Sequence, residues 1–182
     1  MAGLYRLDAP ADRIAAALGA EAGRDVWAGG GVVPGGFAPV VVRGKDRSRR
    51  MVPRQWGVPP PPRGTHVVTH LRNLESPFWI GTLRHTEYRC LVPATAFRGA
   101  GQWWGVPSNP VFAMAGIWRD SEVPSFAIVT TAGDGLYPAQ DLTTLPVILR
   151  PEDHGAWLAA DWKLARDLVG PSRLDLRPTN YS

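Results

Sequence analysis

The spacing of apolar and polar positions changes several times along the chain, and each change marks an expected element. Leu4, Tyr5 and Leu7 arrive at once and predict a strand that enters a core. Over 9–22 the spacing lengthens to a helical one. Ile14 and Leu18 stand four apart, Pro10 suits a first turn, Asp8 is placed to cap and Gly23 to terminate. PVVVR (39–43) and RRMVPRQW (49–56) then predict two strands joined by GKDRS, with Pro53 marking the second as an edge or a bulge. HVVTH (66–70), RCLVPATAF (89–97), FAMAGIW (112–118), SFAIVTT (125–131) and PVIL (146–149) are apolar or alternating runs of strand length. RNLESPFWIGTL (72–83) reads as helical, with Leu74, Phe78 and Trp79 near one face. RPEDHGAWLAADW (150–162) opens a late helix that KLARDLV continues.

Composition narrows the fold class. Eighteen Pro and 20 Gly imply many turns and short elements, which favours a β-rich α+β domain over a helical bundle. A length of 182 residues fits one domain, 1–182. PPPP (59–62) is a short stiff linker. GGGVVPGG (29–36) neither follows a strand nor opens a helix, so it reads as a flexible loop and not as a phosphate loop.

Charge and chemistry add less. Twenty Lys and Arg against 16 Asp and Glu give +4, which permits an anionic partner without requiring one. Cys90 is the single cysteine. It excludes an internal disulfide, fits a reducing compartment and reads as a packing residue within an apolar run. No apolar run approaches the ~20 residues of a membrane span, and no leader precedes the domain, so a cytoplasmic setting, compatible with nucleoid association and without membrane attachment, is expected. The four histidines, His66, His70, His85 and His154, lack metal-ligand spacing, and no cofactor motif is present. Neither a metal nor a cofactor is therefore expected. Arg43, Lys45, Arg47, Arg49, Arg50 and Arg54 crowd one predicted hairpin. They form either a phosphate-tracking ridge or a solvated edge.

The order of WGVPPPP (56–62), HLRNLESPFW (70–79), RCLVPATAF (89–97), FAMAGIW (112–118), AIVTT (127–131) and TLPVILRPEDHGAWL (144–158) resembles the SOS response-associated peptidase (SRAP) family over nearly the whole chain. Members of that family process abasic sites in single-stranded DNA. The resemblance implies a compact domain of barrel-like antiparallel sheets with peripheral helices. It also implies an amino-terminal cysteine whose α-amine and thiol capture the abasic aldehyde as a thiazolidine, assisted by a glutamate and a histidine. At the matching positions this chain carries Ala2, Gly99 and Asp141. The sulfur, the acid and the imidazole are all missing.

What the resemblance retains is the binding apparatus. Arg72 takes the place of the phosphate-contacting arginine, beside Asn73, with His70 where the family has Asn. Trp56 and Gly57 match the WG pair, and Pro34 the early-loop proline, which together flank the lesion in relatives. Thr130 and Thr131 match a pair lining the site, and Arg49 and Arg50 belong to the basic hairpin. Leu4 replaces a further phosphate-contacting arginine. Structural alternatives stand beside these roles: a core tryptophan for Trp56 and a salt bridge with Glu75 for Arg72. Three functions compete. The first is a degenerate family member that binds single-stranded or abasic DNA without cross-linking. The second is a residual enzyme working through a Schiff base on the Ala2 α-amine. The third is a protein-interaction scaffold using the glycine-rich loop and an exposed QWWGVP stretch (102–107).

Overall fold

The computed structural model describes residues 4–24, 26–133 and 142–181. Ala2 and Asp141 lie outside the described residues.

The amino-terminal run forms β1 (Tyr5–Leu7), with Tyr5 and Leu7 buried. Helix α1 spans Ala11–Leu18 and buries Ala11, Ile14, Ala15 and Leu18. It is shorter than 9–22. Gly19, at φ 62, adopts the left-handed conformation that closes a helix, so the stop comes four residues before Gly23. Asp8 does not cap it, because its carboxylate accepts from the Arg6 guanidinium at 2.7 and 2.8 Å. Strand β2 (Gly30–Val32) lies inside the stretch expected to be a flexible loop.

Strands β3 (Phe37–Arg43) and β4 (Arg49–Trp56) pair as a hairpin along the whole of β3, up to Gln55 of β4. They are followed by β5 (His70–Leu71). Residues 72–83 are helical only in α2 (Ile80–Leu83), because the Asn73 side chain accepts from the Glu75 amide and holds a turn instead. β6 (Arg89–Ala94) and β7 (Ala96–Gly99) divide RCLVPATAF between two sheets. β8 is Gln102–Gly105, and its Trp104 is buried, which corrects the expectation that QWWGVP is an exposed surface. β9 (Phe112–Arg119) and β10 (Ser125–Ala132) follow. Next come β11 (Thr144–Pro146), β12 (Ile148–Leu149), α3 (His154–Ala159), α4 (Trp162–Ala165) and β13 (Arg177–Thr179).

Two sheets result. One is antiparallel in the order β13-β8-β7-β1-β2. In the other, β3, β4, β10, β9 and β6 close a ring, because β10 pairs with both β9 and β4. The expected α+β, barrel-like architecture with peripheral helices is present, with one difference. β10 runs parallel to β4 and to β5, so the ring is mixed and not purely antiparallel. Gly116 of β9 faces the side chains of Cys90 and Val92, and a Cβ there would lie 3.0 Å from the Cys90 sulfur and 2.6 Å from a Val92 methyl. A ring this small is filled by its own side chains. Trp157 of α3 ties the helix to the ring by donating to the carbonyls of Cys90 (3.0 Å) and Gly116 (3.3 Å).

Candidate nucleic-acid interface

Strand β4 ends at Trp56, and the backbone there is held from two sides. The Trp56 amide donates to the carbonyl of Gly36, and its own carbonyl accepts from Gly35. These contacts fix the turn Val33–Gly36, in which the Gly36 amide donates to the Val33 carbonyl at 2.9 Å. Pro34 and Gly35 occupy the centre of that turn. Gly35 has φ 85, the left-handed geometry a type II turn requires at that place, and proline suits the position before it. Pro34 is exposed at the tip, with Val33 and Phe37 also open to solvent. Gly57 follows at φ 118, where a Cβ would lie 2.9 Å from a Val67 methyl.

The Trp56 ring is completely buried. It meets Tyr5 edge-on at 5.1 Å, His70 edge-on at 5.6 Å, and stacks on Phe126 at 6.5 Å. Its indole donates to the Thr69 carbonyl at 3.1 Å. A ring without accessible surface has no face to offer a base, so the expectation that Trp56 flanks DNA is corrected to a core tryptophan that carries His70. His70 sits at the start of β5, with Nδ1 2.9 Å from the Thr69 hydroxyl. Burial pulls its imidazole down to about 4, so the ring is neutral at physiological pH.

Two residues further, Arg72 reaches solvent. Its Nη2 donates to the Thr144 hydroxyl at 3.2 Å, which joins β11 to the end of β5. Glu75 does not pair with it. That carboxylate accepts from Arg166 at 2.8 Å instead, so among the described residues no carboxylate forms an ion pair with Arg72. Asn73 is exposed, and its side chain is engaged by the Glu75 amide. Thr130 is buried and donates to the Leu71 carbonyl at 3.2 Å, so its role is to hold β10 against β5. Thr131 is half-buried opposite Leu145.

Gly99, at the end of β7, accepts from the Trp104 indole at 3.2 Å. A Cβ at Gly99 would lie 2.6 Å from a Leu142 methyl. Leu142 is buried and occupies the space into which a side chain at position 99 would project. Cys90 is buried too, and burial pushes its thiol far above the ordinary range, which leaves it unreactive at neutral pH.

The model of the SOS response associated peptidase (SRAP) family matches residues 1–178. The chain belongs to the SRAP family. Solved structures with the same fold include a protein of Bordetella bronchiseptica, at TM-score 0.76 and 18% identity, covering 99% of this chain and 100% of that one. A protein of Bacteroides thetaiotaomicron gives TM-score 0.72 and 18% identity, covering 97% and 91%. A phage-related protein of Bordetella bronchiseptica gives TM-score 0.72 and 20% identity, covering 99% and 95%. Comparison with curated proteins gives no match.

In the SRAP fold, pairing of β5 with β10 brings His70, Arg72 and Asn73 to the Thr130–Thr131 end of β10, with Arg72 and Asn73 on the exposed rim and Thr130 buried beneath it. The Pro34 turn reaches this region through Trp56, which packs on His70. Arg49 and Arg50 are not brought there. They begin β4 and Trp56 ends it, seven residues or roughly 23 Å of strand away. Arg49 donates to the Leu18 carbonyl at the end of α1, and Arg50 pairs with Asp46 at 3.1 Å. Thr144, which steadies Arg72, and Arg166, which removes Glu75 from it, were not legible from local pattern. Their contacts span 72 and 91 residues of sequence. Among the described residues there is no group of three or more His, Cys, Asp or Glu able to hold a metal, and no helix long and apolar enough to cross a membrane.

Proposed function

We propose that this SRAP protein binds single-stranded DNA, including DNA with an abasic site, along the rim at Arg72, and that it does so without forming a thiazolidine. The observation that carries this reading is Arg72 itself: an exposed guanidinium, steadied by Thr144 and with no carboxylate partner among the described residues. Such a group suits a phosphate oxygen, which supplies the missing negative charge. The neutral His70 beside it adds a hydrogen-bonding group without a competing charge.

Cross-linking fails on chemical grounds. Position 2 is alanine, which supplies no sulfur. Position 99 supplies no carboxylate, and Leu142 stands where one would need room. Cys90 is buried and unreactive. Phosphate grip and nucleophilic capture use different atoms, so losing the second does not remove the first.

Fluorescence anisotropy on a labelled single-stranded oligonucleotide, with and without an abasic site, tests this over a series of salt concentrations. Affinity should fall as salt rises. Arg72→Ala should weaken binding about tenfold and reduce the salt slope by about one. Absence of binding at low salt would remove the reading and leave the scaffold alternative. A covalent band after borohydride treatment of the abasic complex would replace it with imine chemistry at the Ala2 amine.

A further inference from the structure

A second cluster of cations lies at the other end of the β3–β4 hairpin. Arg43, Arg47 and Arg49 line a cleft of about 440 Å³, closed on its far side by Gly155, Leu158 and Ala159 of α3. Arg43 pairs directly opposite Arg49. Continuing the β3–β6 register from Val41 opposite Leu91 puts Arg43 opposite Arg89 as well. Cross-strand partners share a face, so three guanidinium side chains form one row over β6, β3 and β4, and like charges in that relation repel. Among the described residues no carboxylate forms an ion pair with any of the four arginines.

Two further observations single out this cleft. Arg89 is completely buried. It donates through Nη2 to the carbonyl of Ala160, next to the cleft wall, and its guanidinium lies over the Trp157 ring at 5.7 Å, while its Nε and Nη1 find no hydrogen-bond partner. Burial lowers it to about 10, with Asp161 opposing the drop and Arg43 adding to it. His154, 4% exposed, likewise has an unpartnered Nε2, and the charge of Arg49 reaches it. The turn supplies the other observation. The Arg47 amide donates to Gly44 and the Gly44 amide to Ser48, which leaves Arg47 at φ 67. A hairpin of this form prefers glycine or asparagine at its left-handed position, and a long side chain there is strained. Arg47 makes no side-chain hydrogen bond or ion pair among the described residues that would offset the strain locally.

We propose that this cleft binds a phosphate-bearing ligand, with Arg43, Arg47 and Arg49 gripping its oxygens. The site is separate from the rim at Arg72 and does not rest on the DNA reading. Its chemistry is shared by a small pyrophosphate-containing molecule and by the terminal phosphate of a nucleic acid, so both are tested. Isothermal titration of the full chain with inorganic pyrophosphate, and with a short oligonucleotide carrying or lacking a 5′-phosphate, reads the two sources. Arg43→Gln should weaken the phosphate-bearing probe about tenfold. Arg47→Gly is the decisive variant. It relieves the left-handed strain, so the melting temperature should hold or rise while affinity falls about fivefold or more. Arg72→Ala should leave pyrophosphate binding intact. Preference for the phosphorylated oligonucleotide over pyrophosphate assigns the site to a nucleic-acid end, and the reverse assigns it to a small molecule. Failure of both probes to bind, binding unchanged in Arg47→Gly, or loss of pyrophosphate only in Arg72→Ala would each overturn the proposal.

Discussion

His70 illustrates how a single side chain at the rim is set by its surroundings. Packed edge-on against Trp56 and largely withdrawn from water, it resists protonation until about pH 4. An unfolded chain takes up that proton near pH 6.5. Between those values the unfolded state holds more protons, so stability should decline as pH falls through this window and stay level above it. The contribution is at most about 3 kcal/mol. His154, also lowered by burial, acts in the same direction. Urea midpoints at about pH 7 and about pH 5 should therefore differ less in His70→Gln than in the unmodified protein. Equal differences would show that His70 does not carry the effect. At this scale the sequence was a good guide to which side chains carry charge and a poor guide to what they meet. Arg72 was recognisable from the HLRN context, whereas Glu75, its obvious neighbour, is claimed by Arg166. Trp56 was open to two readings because an apolar aromatic packs equally well in a core or on a base, and only burial distinguishes them.

Among elements, strands were legible and helices less so. β3, β4, β9 and β10 lie close to the runs that predict them, since their residues are buried in patterns set by pairing on both sides. The helical reading of 72–83 failed because Asn73 and Ser76 offered the backbone local partners before a helix could nucleate. β5 is short for a related reason: Val58 bridges Val68, and only His70 and Leu71 join β10. The close pairing of β9 with β6 depends on the absence of a side chain at Gly116. Gly116→Ala should destabilise the protein by about 1–3 kcal/mol, because Val92 and Cys90 must move and the Ala127 carbonyl, 3.2 Å from the new atom, cannot. Chemical denaturation measures this directly. A neutral result would mean that the ring can widen at β9.

For the whole molecule, the decisive contacts join parts of the chain that are remote in sequence, and no window of residues reports them. The ring closes through β4 and β10, and the amino-terminal strand lies in the second sheet between β2 and β7. The family match over residues 1–178 and the shared fold of solved structures at 18–20% identity show that this arrangement persists while most side chains change. The tie between Arg166 and Glu75 belongs to this scale, since it holds the carboxy-terminal region to the turn after β5 across 91 residues. Arg166→Ala should weaken oligonucleotide binding severalfold in the anisotropy assay although Arg72 is untouched, and the Arg166→Ala, Glu75→Gln pair should restore it. An unchanged affinity in the single variant would show that the acid stays away unaided. The cation that holds Glu75 comes from 91 residues further along the chain, nowhere near the rim in sequence. On the proposed reading, substitutions late in the chain should therefore dim or restore the electrostatic pull of the rim while every rim residue stays the same.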